Sequence, residues 1–142
     1  EITYGDWSSD VCSSDLLVPI YNDFLIRDLV KLLDLSLIIV AKPDLGTINH
    51  TLLTIEAAKT ANIKISGVII SNYPSNTNDI AINNAAKMIF DLSGVEILGK
   101  LPAIEGISNK NTMTEYLIDS VMNNINLENI FKIKIPKLNQ AT

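Results

Sequence analysis

The stretch Leu37-Ile38-Ile39-Val40-Ala41-Lys42-Pro43-Asp44-Leu45-Gly46-Thr47-Ile48-Asn49-His50 joins an unbroken apolar run to a turn carrying Pro and Gly, and then to a polar helix start. That order describes a buried parallel strand feeding a helix N-terminus. The first turn of such a helix presents unpaired backbone N–H groups and the positive end of the helix dipole. A carboxylate or phosphate placed there is held without a basic side chain.

Working outward, apolar runs and helical stripes alternate. Leu16 to Ile20 reads as a strand or strand end. Asn22 or Asp23 can cap a helix running to about Leu33, with Phe24, Leu25, Leu29 and Leu32 or Leu33 on one face. After the strand over Leu37 to Ala41, the spacing predicts a helix from Thr47 to about Asn62 with the stripe Ile48, Leu52, Ile55 and Ala58. Strands are expected at Ile65 to Ile70 and Val95 to Leu101, helices at Ile80 to Leu92 and Met113 to about Asn126, and a loop over Asn72 to Thr77. This alternation implies an α/β fold with a parallel sheet and flanking helices.

A chain of 142 residues with 47% hydrophobic content is one domain able to bury a core. Eleven basic against sixteen acidic residues give a net charge of −5, which argues against a nucleic-acid partner. Lys132, Lys134 and Lys137 form the one local basic cluster, read as a solvated tail. The single cysteine, Cys12, cannot form an internal disulfide and suits a reducing, cytoplasmic setting. No apolar run approaches the roughly 20 residues of a membrane span, and the start shows no signal peptide.

Two segments invite a functional reading and do not sustain it. Ser8-Ser9-Asp10 recurs as Ser13-Ser14-Asp15 in a leader with almost no periodic apolar face. No histidine or basic side chain stands near Cys12 to activate it as a nucleophile. Residues from about 5 to 15 resemble translated adapter sequence, so 1–15 is expected to be a non-native or disordered leader. Gly94-Val95-Glu96-Ile97-Leu98-Gly99-Lys100 has the Gly and Lys spacing of a phosphate-binding loop, but Leu101 stands where Ser or Thr must reach Mg²⁺. Its interior is also an apolar strand. Gly94 reads instead as a helix C-terminus and Gly99 as a strand end.

Leu17-Val18-Pro19-Ile20, the segment from Leu37 to Thr54, Gly67-Val68-Ile69-Ile70 and Leu98-Gly99-Lys100-Leu101-Pro102 resemble the ATP-dependent dethiobiotin synthetases in order and spacing. Leu45-Gly46-Thr47-Ile48-Asn49-His50 is the most specific part of that likeness. The resemblance covers about residues 16–126 and leaves 127–142 as a C-terminal tail. It implies a partial P-loop NTPase-like sheet, and ureido ring closure on diaminopelargonic acid with CO₂, ATP and Mg²⁺. In that family a substrate carbamate is phosphorylated and the neighbouring amine displaces phosphate.

The resemblance also implies site residues. Thr47, Ile48 and Asn49 would hold the substrate's carboxylate tail at a homodimer interface, chiefly through backbone N–H groups, with Asn49 able to cap or to contact through its side chain. His50 matches the pattern without a catalytic role. Adenine would be read by an Asn at the end of the third strand, where strict spacing places Ser71 and Asn72 follows one residue later. Pro102, Ala103 and Ile104 match the backbone segment beside the base.

The family's N-terminal strand, phosphate loop and metal carboxylates find no counterpart in this chain, and its Glu-Gly-Ala-Gly-Gly would fall on Val11 to Asp15. The expectation is therefore a C-terminal half that assigns no catalytic or metal-binding residue and is inactive alone. Two other readings stay open: another NTPase of the ParA/MinD or cobyrinate synthetase kind, and a non-enzymatic interaction module. The loss of the first strands would expose apolar sheet edges, with poor solubility or non-native association as the consequence.

Overall fold

The computed structural model describes residues 15–74, 80–104 and 110–132, apart from the side chains of 81 and 110–113. The expectations for residues 1–14 of the leader, Cys12 among them, for residues 75–77 of the loop, and for Lys134 and Lys137 lie outside the described residues.

At the centre is a three-stranded parallel sheet of β3 (Leu37–Ala41), β4 (Ile65–Tyr73) and β5 (Ile97–Pro102), in that order. Three helices accompany it: α2 (Thr47–Thr60) after β3, α3 (Ile80–Ser93) after β4 and α4 (Lys110–Asn124) after β5. Ile39 pairs with Val68 and Ala41 with Ile70 across β3 and β4, so these side chains share one face. On that face Ile39, Ala41 and Val68 pack with Ile55 of α2, Ile89 of α3 and Val95 into the main core cluster. Each fully buried Ile of this group contributes about 1.5–3 kcal/mol of transfer free energy. Ile55 and Ala58 of the expected α2 stripe are buried, with Ile48 and Leu52 half-buried, and Thr51 and Thr54 join the buried side.

The opposite face is more open. Val40, which the alternation of the strand turns away from the core, is 50% exposed. On the far side of the sheet Gly99 approaches the end of α4: it bridges to Ile125, and Asn126 N–H donates to the Leu98 carbonyl at 2.9 Å. A short helix, α5 (Leu127–Phe131), then begins with Asn126 Oδ1 accepting from the Asn129 N–H. Asn129 in turn donates to Glu96 Oε1 at 2.9 Å. The start of the expected tail is thus a helix held against β5.

The structure corrects the reading of the first segment. Leu16 lies in a single 3₁₀ turn (Asp15–Leu17), and the chain then forms the hairpin β1 (Pro19–Tyr21) and β2 (Phe24–Leu25), antiparallel and separate from the parallel sheet. Asn22 and Asp23 make the hairpin turn, Asn22 with φ of 50°, and do not cap a helix. The helix that follows, α1 (Ile26–Leu32), starts where the Leu25 N–H donates to Asp28 Oδ2 at 2.8 Å. Asn and Asp serve turns and caps by the same local hydrogen bonding, which is why the pair misleads.

The apolar face of this helix is also reassigned. Ile26 and Val30 pack against Leu16, Ala58 and Ile63, whereas Leu29, Leu32 and Leu33 are exposed. Further along, β4 extends past Ile70 to include Asn72 and Tyr73, which the composition places in a loop. Gly94 does end α3, with φ of 69° and its N–H donating to the Phe90 carbonyl at 2.8 Å. Gly99 lies within β5 and does not end it.

Candidate functional site

Because β3, β4 and β5 are parallel, their carboxyl ends lie along one edge of the sheet. Open α/β sheets bind ligands at that edge. Two cavities occur there. The first, about 570 Å³, follows β3 and is lined by residues from Pro43 to Asn49 together with Leu52 and Ile82. The second, about 190 Å³, lies where β4 and β5 end, between Ser71, Asn72, Leu101, Pro102 and Ile104 on one side and Leu117, Ser120 and Val121 of α4 on the other.

In the first cavity the chain turns through Gly46, whose φ of 87° is a left-handed value that suits glycine. The Thr47 N–H donates back to the Asp44 carbonyl at 3.0 Å, and the His50 N–H to the Gly46 carbonyl at 3.0 Å. The N–H groups of Ile48 and Asn49 lie between them, at helix positions for which the helix itself supplies no acceptor. Gly46 occupies the cap position, so Asn49 is not the cap and stands at the third helical residue with an exposed side chain. Asn49 also borders a groove of about 350 Å³ between α2 and the end of α3. His50 is exposed beside Gly46.

The second cavity gathers Asn72, Pro102 and Ile104, and brings Ser71 and Asn72 to the same wall. Ile70 pairs with Lys100 and Tyr73 with Pro102, so β4 carries one more residue than β5 over this step. That extra residue is a bulge, taken up with Asn72 in the left-handed region at φ of 61°. Ala103 takes part through its backbone, its N–H donating to the Tyr73 carbonyl at 2.8 Å. The α4 wall is absent from the sequence reading. Its signal was the spacing Leu117, Ser120 and Val121, one face of a helix.

The walls of this cavity are apolar side chains with an amide and two hydroxyls at hand, which suits a flat heterocycle better than a phosphate chain. Among the described residues no group of three or more His, Cys, Asp or Glu gathers to hold a metal ion.

Residues 11–111 match a protein-family model described as an AAA domain. The chain belongs to this AAA-domain family. The observed α/β body, with its parallel sheet and flanking helices, agrees with a P-loop NTPase relationship. The chain is 42% identical over 107 residues to an ATP-dependent dethiobiotin synthetase BioD of Bacillus cereus (strain G9842). It is equally similar to the protein of that name from Bacillus thuringiensis (strain Al Hakam). The aligned region covers 75% of this chain and 44% of either relative, so the chain spans less than half the length of the relatives it matches.

Proposed function

We propose that this chain carries the substrate-carboxylate and adenine-binding portions of a dethiobiotin synthetase. The reaction served would be the ATP- and CO₂-dependent closure of the ureido ring of diaminopelargonic acid, in cytoplasmic biotin biosynthesis. The observation that carries this reading is the convergence of Thr47, Ile48 and Asn49 on one cavity, and of Asn72, Pro102 and Ile104 on another, at the carboxyl edge of one sheet. The 42% identity to proteins bearing that name supports the choice of reaction.

In this reading the N–H groups of Ile48 and Asn49 receive the substrate carboxylate, helped by the helix dipole. The Thr47 N–H is engaged by Asp44, so Thr47 contributes through its hydroxyl. The Asn72 amide offers a donor and an acceptor side by side, the pattern that matches an adenine edge. Pro102 and Ile104 hold the flat face of the base, and Ala103 fixes the backbone beside them. The homodimer would bring the carboxylate site of one subunit to the substrate bound mainly by the other.

Phosphoryl transfer depends on positioning and on electrostatic stabilisation by a phosphate cradle and Mg²⁺. Among the described residues no group of three or more His, Cys, Asp or Glu gathers for that metal, and in this reading the chain by itself binds its ligands without turnover. An ATP-dependent ligase assay on the purified chain tests this, with no dethiobiotin formed above background as the expected result. Turnover by the chain alone would overturn it. Protection of the Ile48 and Asn49 amides from exchange by a dicarboxylate or the substrate would support the carboxylate site.

A further inference from the structure

Asn72 is held in a conformation that its own residue type tolerates but does not impose, so something nearby must fix it. Its successor, Tyr73, is anchored three ways. The Tyr73 carbonyl accepts from the Ala103 N–H at 2.8 Å. The phenol hydroxyl donates to Asn83 Oδ1 of α3 at 2.9 Å. The Lys100 ammonium sits 4.4 Å from the centre of the ring, in the range of a cation–π contact.

These anchors come from three directions: the loop after β5, the helix on the core side of the sheet, and the neighbouring strand. Together they fix the residue immediately after the bulge. With Ile70 paired to Lys100 on the other side, the chain between has little choice but to place its extra residue at Ser71 and Asn72. The slack of an inserted residue is thereby confined to the wall of the second cavity, where Asn72 is exposed and able to meet a ligand.

We infer that Tyr73 is a positioning residue: through its contacts with Asn83, Lys100 and Ala103 it locks the left-handed conformation of Asn72 and so presents the Asn72 amide to the bound base. This rests on the proposed base-binding role of the cavity only for its ligand, not for the locking itself. Tyr73 touches no reacting group and acts entirely through Asn72.

The test is nuclear magnetic resonance on the whole chain with adenosine, which has no phosphates and therefore asks nothing of a phosphate loop. Four variants are compared with the parent: Tyr73→Leu, the milder Tyr73→Phe, Asn72→Ala, and Asn72→Ala combined with Tyr73→Leu. In the parent, adenosine shifts the amides of Ser71, Asn72 and Ala103, and the one-bond Cα–Hα coupling of Asn72 reports a positive φ. Tyr73→Leu is expected to move that coupling towards an ordinary value without ligand, and to weaken adenosine binding about fivefold, the equivalent of one hydrogen bond. Tyr73→Phe, which keeps the ring over Lys100, gives a smaller change in the same direction.

On the Asn72→Ala background the Tyr73→Leu change adds nothing further, because the two act as one unit. An unchanged Asn72 coupling in both Tyr73 variants overturns the positioning role, whatever adenosine does. Full additivity of the two affinity losses overturns it as well. Absence of any adenosine shift in the parent chain overturns instead the base-binding reading of the cavity, while the ligand-free coupling still decides the role of Tyr73.

Discussion

A Cβ placed on Gly99 would lie 1.9 Å from the Asn124 carbonyl oxygen. No rotamer change relieves that overlap, since the obstacle is backbone at the end of α4. Gly99→Ala must push the helix end off the strand, and is expected to destabilise the fold by at least about 3 kcal/mol, the upper range for overpacked sites. Gly94→Ala is the control: nothing lies within 4 Å of its added Cβ, and only the left-handed backbone is penalised, by about 1–2 kcal/mol. Urea denaturation of the two variants beside the parent measures both.

Thr51 and Thr54 make a second contrasting pair on α2. Thr51 Oγ1 is buried with no hydrogen-bond partner among the described residues, whereas Thr54 Oγ1 donates to the His50 carbonyl at 3.0 Å. A lone buried hydroxyl costs free energy that a methyl group does not. Thr51→Val is therefore expected to raise stability by about 1 kcal/mol. Thr54→Val loses a hydrogen bond and should lower it by a similar amount. Thermal melts followed by circular dichroism give the two signs.

At the start of α1, Asp28 accepts from the Leu25 N–H. Asp28→Ala removes that acceptor and a favourable charge in the first turn, and should cost about 1 kcal/mol. Hydrogen exchange of the Leu25 amide is expected to quicken while that of the Val68 amide keeps pace with global stability.

Leu29, Leu32 and Leu33 leave an apolar stripe in solvent, with Leu32 74% exposed, and Val40 is half-exposed on the open face of the sheet. Contiguous exposed apolar surface favours association. The chain is expected to self-associate as its concentration rises, in light scattering or sedimentation. Leu32→Glu together with Leu33→Glu should reduce that association while changing unfolding free energy by no more than about 0.5 kcal/mol, as for other surface positions. A monodisperse parent chain with no concentration dependence would contradict the prediction.

The residues that were legible in the sequence are those where local chemistry and tertiary context agree. Leu37 to Ala41 is a strand at the expected bounds because an unbroken apolar run ended by Lys-Pro-Asp suits a parallel strand and little else. Thr47 begins α2 as read, since Leu-Gly before it supplies the turn. The first segment misled because Asn22-Asp23 is chemically both a turn and a cap, and only the pairing of Pro19 with Leu25 decides between them.

The residues lining the two candidate cavities were partly legible for the same reason. Thr47, Ile48 and Asn49 are consecutive, so their common cavity follows from one helix start. The uncertainty between Ser71 and Asn72 was real in the sequence, because a bulge depends on how β4 pairs with β5 and leaves no local mark. Leu117, Ser120 and Val121 escaped notice because their place at the cavity follows from how closely α4 can approach β5, which is a matter of packing.

That approach ties architecture to inheritance. Gly67 is in a like position to Gly99, since a Cβ on it would meet Leu98 Cγ at 2.5 Å. At such places the permitted alphabet shrinks to one letter, and any lineage that lost Gly99 would have to relocate the helix whose side chains wall the second cavity. Gly99 does not line the second cavity, yet replacing it would move a wall of that cavity and lower fold stability in the same step.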